Sequence, residues 1–169
     1  AWLCVMTTGS GKEGEQGQHV ISLRSMDCGK TWEDPVPIEP PGGPEASWAV
    51  ALTAPSGRIN AFYIHNTDNI RELKADNPPY SSGYTQRMDS FGYYVLKYSD
   101  DHGRSWSDKR YTIPVREFEI DRNNVYQGKI RFFWNVGRPF TFEGTAFLPI
   151  HKVGGFGEGW FTASEGALL

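Results

Sequence analysis

An eight-residue pattern occurs twice in the chain, as SMDCGKTW (25–32) and as SDDHGRSW (99–106). The copies share Ser, the third-position Asp, Gly, a hydroxyl residue and Trp. Each follows an apolar run with β character (HVISLR, YYVLKY) and precedes one that contains proline (VPIEP, YTIPV), so the repeated unit is strand, turn, strand. A recurring unit of this size cannot bury its own apolar face, which restricts the chain to folds in which like units stack. The turn has a structural chemistry of its own. Asp and Ser bond within a tight turn, Gly takes a positive φ, and Trp is expected to pack inward as a plug. His102 and the oxygens of DDHGRS could suggest a metal loop, but the acidic count and closing Glu of a calcium loop are missing.

A second repeat has no shared octapeptide. WAVALTAPSGRINAFYIH from Trp48 and WNVGRPFTFEGTAFLPIH from Trp134 have equal length, with Trp, Val, Ile and His in register. Both read as β-hairpins, turning at Pro55–Arg58 and at Glu143–Gly144 and ending on His65 and His151. The two repeats recur at intervals of 74 and 86 residues, so loops of unequal length sit on one four-strand unit. Strands are expected at 2–8, 19–25, 36–40, 47–53, 59–65, 93–99, 110–115, 131–136, 145–151 and 159–164. NIRELKAD (69–76) reads as a short helix, capped by Asp68 or Asn69 and stopped by Pro78 and Pro79. Assembly gives an all-β chain of about two and a half four-stranded antiparallel propeller blades. Residues 1–40 form an incomplete blade, 47–115 a complete one and 132–169 a second incomplete one. Both ends read as cut, so the chain is expected to be a fragment that self-associates through exposed blade faces.

Composition removes several functions. With 17 Lys plus Arg against 20 Asp plus Glu, the net charge is −3, which leaves no global positive field for nucleic acid or an anionic membrane. No apolar run of about 18 residues is present to span a bilayer. Cys4 and Cys28 are too few for a disulfide framework or a zinc site. The 24 aromatic residues (6 Trp, 8 Tyr, 10 Phe) supply a core.

The two octapeptides resemble the Asp-box, or BNR repeat, of the sialidase-like (neuraminidase superfamily) β-propellers. Ser25, Asp27, Gly29, Thr31 and Trp32 match it, as do Ser99, Asp101, Gly103, Ser105 and Trp106. The blade pattern extends the likeness over residues 2–164. The resemblance implies a six-bladed propeller, a secreted or periplasmic location, a carbohydrate substrate and no cofactor or metal. It also implies an exo-acting glycosidase in which arginines bind a sugar carboxylate, an Asp is the acid/base and a Tyr paired with a Glu is the nucleophile. GRPF (137–140) is the nearest approach to the family's Arg-Ile-Pro motif, without the Ile.

In the family the Asp-box turns lie opposite the active face. The segments at 8–17, 40–47, 66–91, 116–131 and 152–159 should therefore form the functional rim, with the 26-residue stretch 66–91 the longest. Arg138, which stands where the aligned hairpin has Leu52, is expected to line a cavity or be ion-paired. Arg87 and Arg71 join it as candidate carboxylate binders. Asp68 and Asp89 are the candidate acid/bases, and Tyr63, Tyr80, Tyr84 and Tyr126 the conceivable nucleophiles. Tyr126 has Glu117, Glu119 and Asp121 nearby in sequence. His65 and His151 should point toward the rim, as structural hydrogen-bonding groups or as proton carriers. Trp48 and Trp134 are expected to pack between blades or to stack on sugars. Three functions remain open: a sialidase-like hydrolase, a noncatalytic propeller that binds glycans or proteins, and a propeller enzyme acting on uronate polysaccharides with a histidine base.

Overall fold

The computed structural model describes residues 1–169, with Phe161 described by its backbone alone. The chain is all-β and its sheets are antiparallel and open. β1 (Trp2–Thr8), β2 (His19–Ser25) and β3 (Val36–Pro37) form a three-stranded sheet in chain order. β4 (Ala46–Thr53) and β5 (Ile59–His65) follow as a hairpin. Within the long connection after them, β6 (Leu73–Lys74) pairs with β7 (Tyr84–Thr85). β8 (Tyr93–Ser99) and β9 (Tyr111–Thr112) then complete a four-stranded meander of order β4-β5-β8-β9. A helical turn, α1 (Glu119–Arg122), leads to β10 (Phe132–Trp134). β11 (Phe140–Phe142) and β12 (Thr145–Phe147) pair only with each other. The third sheet has the order β10-β13-β14, with β13 (Pro149–Val153) and β14 (Ser164–Leu168) flanking the turn α2 (Glu158–Phe161).

The meander is the middle layer, and β5 shows why. Ala61 and Tyr63 pack against Val20 and Ile38 of the first sheet's side, while Phe62 and Ile64 pack against Phe133 and Ile150 of the third. A strand covered on both faces loses the polar half of its alternation, which is what the run INAFYI displays.

Both repeated turns close on the same bonds. Asp27 Oδ1 accepts from Ser25 Oγ (2.8 Å) and Thr31 N (2.9 Å), its Oδ2 accepts from Thr31 Oγ1 (2.7 Å), and Ser25 Oγ accepts from Gly29 N (2.7 Å). The second copy repeats this through Asp101, Ser99, Ser105 and Gly103 at 2.6–2.9 Å. Bonds from the Thr31 backbone and hydroxyl and from Ser25 hold the Asp27 carboxyl down at about 2, and the Ser105 and Ser99 bonds depress Asp101 likewise. Cys28 and Gly29 take φ values of 60° and 85°, and His102 and Gly103 values of 62° and 82°, so Gly supplies the second left-handed step. The plugs differ. Trp106 packs into the core between the first two sheets and donates from Nε1 to Ser22 Oγ (2.9 Å). Trp32 does not pack inward as expected: it is 44% exposed, because no sheet lies on that side of the first.

Four further expectations are corrected. Residues 69–76 are not a helix: Asn69 has φ 53°, and the Asn66 side chain bonds both Ile70 N (3.0 Å) and Ile70 O (2.9 Å), taking the groups a first helical turn would use. At 159–164 the chain is the α2 turn rather than a strand, held by Asp76 Oδ2 accepting from Glu158 N (2.8 Å), and pairing resumes at β14. The hairpin expected from Trp134 to His151 is broken into two pieces. Pro139 and Pro149 remove ladder donors, and a Cβ on Gly137 would lie 2.4 Å from Pro149 Cβ. The proline-containing fourth strands shrink to β3 and β9 for the same lack of donors.

Candidate functional site

β5 and β8 pair His65 with Tyr93 at one end and Ile59 with Ser99 at the other, so the long connections emerge opposite the repeated turns. They bind one another there. Met88 N donates to Gly14 O (2.9 Å), Lys74 N to the Tyr126 hydroxyl (2.7 Å), Asp76 N to Phe156 O (3.1 Å) and Gly17 N to Glu45 Oε1 (3.2 Å). Leu73, Met88, Phe91, Phe132, Val153 and Phe156 form a core beneath them. The loops therefore make a packed cap rather than separate excursions.

A cleft of about 390 Å3 opens between the loop end of β8–β9 and residues 128–131. Asp68, Tyr93, Thr112, Lys129 and Arg131 line it with an apolar floor that includes Ile113 and Phe133. The Tyr93 hydroxyl donates to Asp68 Oδ2 at 3.2 Å, and that bond to a carboxylate raises the phenol above its ordinary value. Both side chains are exposed at the mouth. Arg131 is held on its wall by Val115 O (2.6 Å) and Glu117 (3.3 Å). A phenol beside a carboxylate, with two cations on the facing wall, can receive an anionic or hydroxyl-rich ligand and exchange a proton with it.

The other expected site residues do not gather here. Asp89 is buried and accepts from Arg87 Nε (2.8 Å) and Nη2 (2.9 Å). Arg87 also meets Glu13 (3.1 Å) and lies over the Trp160 ring, so its charge is already matched. Arg71 bonds the buried Glu45 (2.6 Å) and Asn69. Burial would raise the Glu45 carboxyl, but Arg71, Gly17 N and Asn66 hold it below the ordinary value. Arg138 does not line this cleft and forms no ion pair among the described residues; it is exposed. Tyr84 is exposed on the β6–β7 ribbon. His151 stacks on Trp134 at 5.1 Å, and Trp48 and Trp134 meet at 6.1 Å between the second and third sheets. With Trp160 also 4.6 Å away, Trp134 is engaged by its neighbours, which is the packing reading of these tryptophans.

His65 is buried rather than on the rim. Its Nδ1 lies 2.7 Å from Thr67 Oγ1, and burial, reinforced by Arg110, lowers it to about 4. The unfolded chain, with a histidine near 6.5, then binds more protons than the folded one between those values. Stability contributed by neutral His65 is complete above about pH 6.5 and falls by about 3 kcal/mol as pH drops to about 4. Urea unfolding at pH 7 and pH 4.5 is expected to show this loss, and His65→Gln is expected to shrink it; an unchanged acid limb in the variant would contradict the assignment.

Sequence reasoning missed the buried charges. Glu39, 1% exposed, accepts from the Tyr63 hydroxyl (2.5 Å) and from Arg110 Nε and Nη2 (2.6 and 3.0 Å), with Lys97 Nζ at 3.6 Å. Burial raises the Tyr63 phenol strongly and the Glu39 carboxylate adds to it, so Tyr63 stands as a buried, neutral donor to Glu39. Lys152 and Asp121 form a fully buried pair beneath α1. The available signal was a lone charge inside an apolar run, as in YYVLKYS and LPIHKV.

Among the described residues no His, Cys, Asp and Glu group is suited to hold a metal ion, and no helix is long and apolar enough to cross a membrane. No protein-family model matches the chain, and no curated protein sequence matches it.

Proposed function

We propose that the three stacked sheets are successive blades of a sialidase-like β-propeller, and that the protein is a glycoside hydrolase acting outside the cytoplasm on terminal acidic or polar sugars of glycans. The pairing of Tyr93 with Asp68 at the mouth of the loop-end cleft carries the reading. In this scheme Asp68 takes the phenolic proton as the Tyr93 oxygen bonds to the anomeric carbon, and passes it to the departing glycosidic oxygen. Water then attacks the same carbon and breaks its bond to the Tyr93 oxygen, leaving a hydroxyl on the sugar and returning a proton to the Tyr93 oxygen. A neutral phenol brings no second anion against an acidic sugar, and Lys129 on the facing wall draws such a sugar in.

A fluorogenic sialoside and a small glycoside panel test this. Tyr93→Phe and Asp68→Asn are each expected to lower turnover by about 10²–10⁴-fold. Both side chains are exposed, so urea midpoints should stay unchanged. Turnover that survives both substitutions would sink the scheme.

A second reading, glycan or protein binding without turnover, is favoured by the arginines. Arg71 and Arg87 are matched by carboxylates and Arg138 stands apart, so no arginine cluster faces the cleft among the described residues. Retention on a glycan array without turnover of any glycoside would select it. The uronate reading draws no support from His65, which is buried, or from His151, which is stacked on Trp134.

A further inference from the structure

A second recess, of about 510 Å3, is walled by three loops: residues 16–17, residues 41–45, and the segment that carries Asn69 and Arg71. That volume falls in the range of small-ligand sites, about 300–1,000 Å3. Asp68 and Ile70 line the cleft, whereas Asn69 and Arg71 line the recess, so a short ridge of chain separates the two. The Asn66 side chain pins this ridge by accepting from Ile70 N (3.0 Å) and donating to Ile70 O (2.9 Å). Glu45, its side chain only 1% exposed, accepts from Arg71 Nη1 (2.6 Å), Gly17 N (3.2 Å) and Asn66 Nδ2 (3.1 Å). Arg71 also donates to Asn69 Oδ1 and keeps 37% of its side chain exposed, so its guanidinium is held at two corners with donors left over.

We infer that this recess is a second binding site, for a neutral sugar, and that it works independently of the chemistry in the cleft. Among the described residues, Arg71 and Glu45 are the only charged groups that line it, and they cancel, so neither an anion nor a cation gains from entering. With Glu45 against it, the Arg71 guanidinium offers hydrogen bonds without a net charge. Such donors suit hydroxyls, which accept from Arg71 and donate in turn to amide oxygens such as that of Gln16. Pro41 and Pro44 add ring faces for the C–H side of a sugar, and no aromatic or long aliphatic side chain lines the recess to favour a lipid or an apolar peptide. The walls are preformed. Gly43 N closes a turn on Pro40 O (3.3 Å), and Glu45 ties the loops at Gly17, Asn66 and Arg71 together, which reduces the ordering cost of binding.

Nuclear magnetic resonance of the isotope-labelled full chain tests this. Methyl glucoside is expected to give saturable amide shifts at Gly17, Gly42, Gly43 and Asn69. Methyl glucuronide, which carries a carboxylate in place of a hydroxymethyl group, should bind no more tightly. Gly42→Trp should weaken methyl glucoside binding by about tenfold or more, because the indole fills the recess. Gly42 has no left-handed φ and a Cβ on it would meet no atom within 4 Å, so the urea midpoint of this variant should match that of the parent chain. Tyr93→Phe, in the cleft, should leave the shifts as they are, so that this site and the proposed hydrolysis stand or fall separately. An absence of saturable shifts at these four residues, tighter binding of the glucuronide, binding that survives Gly42→Trp, or loss of binding in Tyr93→Phe would each overturn the inference.

Discussion

Lys152→Met is expected to lower the free energy of unfolding by about 3–5 kcal/mol, the usual cost of leaving one member of a buried ion pair without its partner. Lys152 and Asp121 are both inaccessible to solvent. Asp121 Oδ2 also accepts from Phe118 N (2.9 Å), while Oδ1 has no partner among the described residues. With the ammonium gone, the carboxylate keeps one backbone donor in an apolar site. The energetic margin inside the pair is small even in the native protein. Burial lowers the Lys152 ammonium below its ordinary value although Asp121 opposes the shift. Lys152→Met combined with Asp121→Leu should recover most of the loss, because exchanging both charges for apolar groups removes the desolvation cost together with the attraction. A single variant as stable as the native chain would show that water reaches the pair.

Glu39→Leu is expected to cost about 2–4 kcal/mol, since it strands the Tyr63 hydroxyl and removes the partner of two cations. The lower end applies because Arg110 is about one-third exposed and can turn toward water. Tyr63→Phe should cost only about 1 kcal/mol, because it deletes one donor and leaves both Arg110 bonds to Glu39 in place. Denaturant midpoints for the two variants give the comparison directly. Equal losses would mean that Glu39 acts mainly by orienting the phenol and that its ion pairs contribute little.

Much of the fold was legible because its signals are local. β1, β2, β5 and β8 lie at the positions read from alternation and turn residues, and both repeated turns close through bonds between residues two to four apart. The errors arose where another part of the chain supplied the decisive contact. The segment around Leu73 has residues suited to a helix, but Leu73 pairs with Thr85 and is buried in the loop-end core. Trp134 to His151 matches the earlier hairpin by letter, yet its prolines cannot supply the ladder. The candidate site was legible only in part. Asp68 stands in the cleft, whereas its partner Tyr93 was read solely as the start of a strand.

The sequence by itself determined the stacking unit: the positions of β1, β2, β5 and β8 and the turn that joins the third strand to the fourth follow from side-chain period and turn chemistry within a few residues. Tertiary structure alone decided which charges are spent and which are available. Glu39 meets Arg110 across 71 residues, Asp121 meets Lys152 across 31, and Arg71 meets Glu45 across 26. A charge that must leave water takes whichever opposite charge folding brings within reach, and that choice depends on the packing of distant strands rather than on neighbours in the chain.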